Sequence, residues 1–160
     1  RGQKSTSKGW KRLKGKNYMS TPMTYDEKLA FLRRYRDAQR TMRRCMEELE
    51  QLRSEAASVS QALSGMPSGG GDGQAIPRAV ERIDDAESRL VSAYGAALSE
   101  LNRVKTAIDT VPDPLRLDIL TRRYILGQRW ERIAADLDRD LRWVLRLHHR
   151  AVDELTIESH

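Results

Sequence analysis

Small or apolar residues recur through the first half of the chain at Phe31, Tyr35, Ala38, Met42, Cys45, Leu49, Leu52, Ala56, Val59 and Leu63. The steps alternate four and three, which keeps one helix stripe aligned along a partner helix. A second stripe follows at Ile76, Val80, Ile83, Glu87, Leu90, Tyr94, Ala97, Leu101, Val104, Ile108 and Val111, broken only by Glu87. Each stripe predicts a helix of about 36–40 residues, roughly 55 Å long at 1.5 Å per residue. Thr24-Tyr-Asp-Glu27 opens the first as a capping box, in which Thr24 accepts from a backbone N–H and Glu27 reaches back to the cap. Ser64-Gly-Met-Pro-Ser-Gly-Gly-Gly-Asp-Gly73 ends it, because five glycines and a proline cannot continue a helix. A linker this short, spanning 64–75, favours an antiparallel coiled-coil hairpin over residues 24–111. The stripes are thin and alanine-rich, so they predict a third packing surface, from the C-terminal region or from a second subunit in a homodimer.

A different pattern begins at Val111-Pro-Asp-Pro114, where Asp113 can cap a new helix with Pro114 in its first turn. That helix is expected to reach about Leu126, with Leu117, Leu120 and Tyr124 facing inward and Gly127 closing it. Beyond it the spacing of three residues carries most of the information. Ala134 is small, Asp138 four residues on is a turn former, and Val144 six further is apolar. A short helix packs across a second one through such a set, as in a helix-turn-helix. The second of these helices is expected to run to about Ile157. The chain therefore reads as all-α: a disordered basic tail over 1–23, the hairpin over 24–111 and a helix-turn-helix domain over 112–160.

Composition narrows the class. Apolar residues make up 39% and charged residues 32%, with a single Phe, which fits a helical protein with a modest core. No apolar run approaches the ~18 residues of a membrane span, so the expectation is no membrane association and a cytoplasmic location. One cysteine, Cys45, cannot form an internal disulfide, and its stripe position predicts a buried thiol. The net charge of +6 lies in the tail: residues 1–18 carry seven Lys/Arg and no acid, whereas 112–160 carry nine of each sign. The overall excess is thus no argument that the folded part binds a polyanion. Lys14-Gly15 can be encoded as a ribosome-binding sequence three codons before Met19. Residues 1–18 are then either an upstream leader read in frame or a basic arm that touches DNA phosphates.

Arg122-Arg-Tyr-Ile-Leu-Gly-Gln-Arg-Trp-Glu-Arg-Ile-Ala134, followed by Val144, Arg146-Leu-His148 and Ala151, closely resembles the C-terminal part of phage and prophage regulators of the RinA and ArpU type. The end of those proteins is similar to region 4 of bacterial sigma factors. The likeness covers about 35 residues, and the long hairpin before it matches in layout more than in motif. It implies a late-gene transcription activator that binds double-stranded DNA. Asp138 replaces the turn glycine of the family, a modest change because Asp tolerates a left-handed backbone. Arg139-Asp140 replaces the usual Tyr-Ser, so Asp140 still caps but adds negative charge near the DNA backbone. Arg129 replaces a small polar residue before Trp130 and removes a cap.

The candidate DNA-contacting residues are Arg139, Arg142, Trp143, Arg146, His149 and Arg150. Arg142, Arg146 and Arg150 recur every four residues and share a helix face, and guanidinium suits both phosphate and the O6/N7 edge of guanine. The competing expectation is that these arginines pair with Asp136, Asp138, Asp140, Asp153 and Glu154 as a solvated surface. Trp143 is placed outward, either against deoxyribose or against the hairpin. Val144, Leu147, His148, Ala151 and Leu155 form the inward side. Adjacent histidines at 148 and 149 point about 100° apart and make a poor metal pair. Arg33, Arg34, Arg36, Arg40, Arg43 and Arg44 give the first helix a basic half, either a solvated flank or a backbone-contacting patch. The glycine-rich run lacks the Gly-Lys-Ser/Thr ending of a phosphate loop and reads as a linker. No catalytic constellation and no cofactor site is legible. The function expected is sequence-specific DNA binding without enzymatic activity. The alternative is a sigma-like module that docks on RNA polymerase or a phage partner without reading DNA.

Overall fold

The computed structural model describes residues 22–64 and 73–157. Among the described residues the protein is all-helical: α1 (Tyr25–Ser64), α2 (Ala75–Ile108), α3 (Pro114–Leu120), α4 (Trp130–Asp136) and α5 (Leu141–Glu154), with no strand. A π-helical turn, Thr121–Ile125, prolongs α3. No described helix is long and apolar enough to cross a membrane. Residues 65–72, most of the expected linker, and 1–21, nearly all of the expected tail, lie outside the described residues. Met23, at the end of that expected tail, packs against the main core.

Local chemistry sets the helix ends. The Thr24 backbone N–H donates to Glu27 Oε2 at 2.7 Å, and the Glu27 N–H donates to Thr24 Oγ1 at 3.3 Å. This reciprocal pair is the capping box. Asp113 caps α3 by accepting from the Arg116 N–H at 2.9 Å, with Pro114 in the first turn, where a missing N–H costs nothing. At the far end, the Leu126 N–H donates to the Thr121 carbonyl at 3.0 Å, one residue wider than an α turn. Gly127 then takes φ +70°, and the Arg36 guanidinium packs so close that a Cβ there would fall 1.2 Å from Arg36 Nη1. The positive φ calls for glycine at this position, whereas the Arg36 side chain could swing away from a Cβ.

α1 and α2 run antiparallel. Glu48 pairs with Arg89 at 2.8 Å, Arg53 with Glu87 at 2.7 Å and Glu55 with Arg82 at 3.8 Å, so partner numbers fall on one helix as they rise on the other. All three pairs are exposed and each contributes at most about 1 kcal/mol. Leu49, Leu52 and Ala86 are buried between the helices, with Ile83 and Leu90 against them. The expected stripe of α1 faces this seam through Leu49 and Leu52; that of α2 faces inward at Ile83, Leu90, Ala97, Val104 and Ile108 and departs from it where Ala86 is buried in place of Glu87. Ala86 and Ala97 are buried, while Ile76, Val80 and Tyr94 are about half exposed or more. Alanine lets two helices approach closely, and Tyr94 stays on the exposed side of α2. Glu87, a stripe position on paper, instead reaches sideways to Arg53. Cys45, expected buried, is half-buried.

The largest core closes the end of the α1–α2 pair. Phe31 and Leu32 of α1 meet Val104, Ala107 and Ile108 of α2, then Val111, Leu120 and Tyr124, Ala151 and Val152 of α5, and Leu155 just beyond it. It draws on both sides of the expected division at 111/112. The third surface that the thin stripes required is thus supplied, at this end, by the C-terminal helices. Leu32, Ile108 and Leu120 are almost fully enclosed, each contributing roughly 2 kcal/mol by burial. A second, smaller core joins Ile119 of α3, Ile133 and Ala134 of α4 and Val144 of α5.

Candidate nucleic-acid interface

α4, a short connection over 137–140 and α5 form a compact pair on that second core. Ala134 is 6% exposed and Val144 fully enclosed, so the small and the apolar residue meet where the two helices approach. Asp138 has φ +49°, the left-handed conformation that the turn requires. The Arg139 N–H returns to the Ala134 carbonyl at 3.0 Å. Asp140 caps α5 by accepting from the Trp143 N–H at 2.7 Å, whereas Arg129 supplies no side-chain cap to α4.

The inward side of α5 carries Val144, His148, Ala151 and Val152, with Leu147 packed beside them. Val152 is fully enclosed although the inward set read from sequence omitted it. His148 Nε2 lies 2.9 Å from the Tyr124 hydroxyl, and its ring meets Trp130 edge-on at 4.8 Å. Burial pushes the His148 imidazole down to about 4, and the positive charges of Arg123, His149 and Arg33 act in the same direction. Burial likewise pushes the Tyr124 phenol up to about 12. The unfolded chain protonates this histidine near pH 6.5, the folded chain only near 4. Its contribution is therefore complete above pH 6.5 and is lost as pH falls toward 4, by up to about 3 kcal/mol. Urea titrations at about pH 7 and pH 4.5 should show a larger loss in the parent than in His148→Gln; equal losses would contradict the assignment.

The outward side is basic. Arg142, Arg146 and Arg150, with Leu145 and His149, line one shallow concavity. Among the described residues no carboxylate pairs with Arg142, Arg146 or Arg150. Four of the five acids expected to neutralise them are engaged elsewhere, and the carboxylate of the fifth, Asp138, makes no ion pair with them. Asp136 takes Arg122 and Arg132, Asp153 takes His149, Glu154 takes Arg116, Asp140 caps α5 and Asp138 forms the turn. A region with equal numbers of both charges thus presents a segregated positive face.

The remaining candidates are less free. Arg139 is exposed and lies over the Trp143 ring at 5.4 Å. Trp143 itself is half-buried against the second core, so packing occupies much of its surface. His149 stacks on Tyr25 at 4.3 Å and 16°, and its Nδ1 lies 3.0 Å from Asp153. The two histidine rings are therefore committed to different partners. Of the α1 arginines, Arg33, Arg36 and Arg40 line a cleft toward α5, while Arg34 lies over Phe31 at 5.3 Å. Sequence reasoning missed this cleft, because its walls come from three separate segments.

Comparison with known protein families, with curated proteins and with solved structures finds no match. The geometry of α4, the turn and α5 therefore carries the functional reading.

Proposed function

We propose that the protein is a sequence-specific, double-stranded-DNA-binding transcription regulator. In this reading α4 and α5 are the two members of a helix-turn-helix, and α1–α2 is a coiled-coil hairpin that carries it. The observation behind it is the face of Arg142, Arg146 and Arg150, unpaired on an exposed helix while nearby acids serve elsewhere. Guanidinium groups at that spacing reach phosphates and guanine edges along a major groove. The motif likeness to RinA- and ArpU-type regulators supports a phage or prophage origin and late-gene activation. Exposed Val91, Tyr94 and Leu98 on one stripe of α2 are the surface that a homodimer through the hairpin would use.

A second reading has an observation of its own. Leu141 and Leu145 are exposed at 38% and 40% beside the arginines, as a sigma-like module docking on RNA polymerase would require. Selection of bound duplexes from a random pool with the full chain separates the two. An enriched motif is expected, and an inverted repeat of it would report two copies of the chain. A pool that stays random would remove the DNA-reading proposal.

A further inference from the structure

A cleft of about 280 Å³ lies between the beginning of α1, the π-helical turn and the inward edge of α5. Arg33 and Arg36 from α1 and Arg123 from the π-helical turn enter it, over a floor of Tyr124, Trp130 and His148. Arg123 is held in place: its guanidinium lies 4.6 Å from the Trp130 ring centre, and Nη1 donates to the Gln128 carbonyl at 2.9 Å. The Arg36 guanidinium lies against Gly127. Among the described residues no carboxylate pairs with Arg33, Arg36 or Arg123, and Asp37, the one acid in the lining, pairs with Arg40. Three guanidinium groups without an ion-pair partner thus line one concavity, those of Arg36 and Arg123 partly buried.

This arrangement favours an entering anion, since each guanidinium offers paired donors to tetrahedral oxygens. The floor adds no competing negative charge, because the Tyr124 hydroxyl and His148 Nε2 satisfy each other. The volume, at about 280 Å³, has room for one or two phosphate groups. We propose that this cleft is a phosphate-binding site whose ligands are Arg33, Arg36 and Arg123. It is built from other side chains than the arginine face of α5, so it stands or falls separately from the DNA-reading proposal. The phosphate can belong to a free phosphorylated molecule or to a duplex backbone.

The test is calorimetric titration of the full chain with inorganic pyrophosphate, against chloride at matched ionic strength. One saturable site per chain is expected, with a dissociation constant of about 1 mM or tighter. Arg33→Gln with Arg123→Gln should weaken it about tenfold or more, while Arg142→Ala with Arg146→Ala should leave it unchanged. Arg33 is exposed, so Arg33→Gln alone supplies the same comparison if the pair destabilises the fold. Repeating the titration with duplex bound identifies the source. If a backbone phosphate fills the cleft, duplex and pyrophosphate compete, and Arg33→Gln lowers the salt slope of duplex binding by about one. If a free molecule fills it, both bind together. No saturable pyrophosphate signal, or equal weakening by the α5 pair and the cleft variants, would overturn the site.

Discussion

Val144→Asp is expected to cost about 4 kcal/mol or more and to unpack α4 from α5. Val144 is fully enclosed by Ile119, Ile133 and Ala134, and no basic group lies in that cluster to receive a carboxylate. The substitution removes apolar packing and buries an unpaired charge at once. Val144→Ala keeps the site apolar and should cost only about 2 kcal/mol. Denaturant titration of the three proteins by circular dichroism checks the order. Limited proteolysis of Val144→Asp should open the connection at residues 137–140 first, because Leu49, Leu52 and Ala86 form a separate cluster along α1–α2. A parent-like midpoint for Val144→Asp would mean that α4 and α5 do not pack as described.

Arg142→Ala with Arg146→Ala should behave in the opposite way. Both side chains are exposed and neither belongs to a core or an ion pair, so helix content and melting midpoint should match the parent. Binding to the selected duplex should weaken by about 1–3 kcal/mol for each arginine that reads a base bidentately, and base preference at those positions should relax. Arg150→Ala should affect affinity more evenly across sequences if that side chain meets phosphate alone. Mobility-shift titrations against selected and scrambled duplexes measure both effects. The comparison with Val144→Asp separates loss of function from loss of fold.

The features legible in the sequence are those decided by neighbours. Thr24 with Glu27, Asp113 with Pro114, Asp140 at the start of α5, and Gly127 and Asp138 at left-handed turns act within a few residues of chain. The inward set Val144, His148 and Ala151 follows from helix periodicity, which is likewise local. The burial of Ala86 in place of Glu87, and the exposure of the stripe residues Ile76, Val80 and Tyr94, are not legible there. Positions 86 and 87 fit the same period, and only the packing of α1 against α2 selects Ala86. Nor does the sequence show that Phe31, Ile108 and Leu155 share one core, because that depends on packing between distant segments. The candidate site divides in the same way. The arginine spacing on α5 is local, whereas the diversion of Asp136, Asp153 and Glu154 to other partners needs the folded chain. Helix periodicity puts Trp143 and His149 on the outward side, and long-range packing draws one toward the second core and the other onto Tyr25.

The salt dependence of duplex binding, measured for the parent and for Arg142→Ala/Arg146→Ala, tests the central proposal most directly. Between about 50 and 200 mM salt the parent's affinity should fall steeply and linearly on logarithmic axes, as counterions are released from the phosphates it neutralises. The double variant, folded and melting with the parent, should bind more weakly, with a slope reduced by about one for each phosphate it no longer neutralises. If the folded variant binds the same duplex with unchanged affinity and unchanged slope, α5 is not the reading head, and docking on a protein partner becomes the better account.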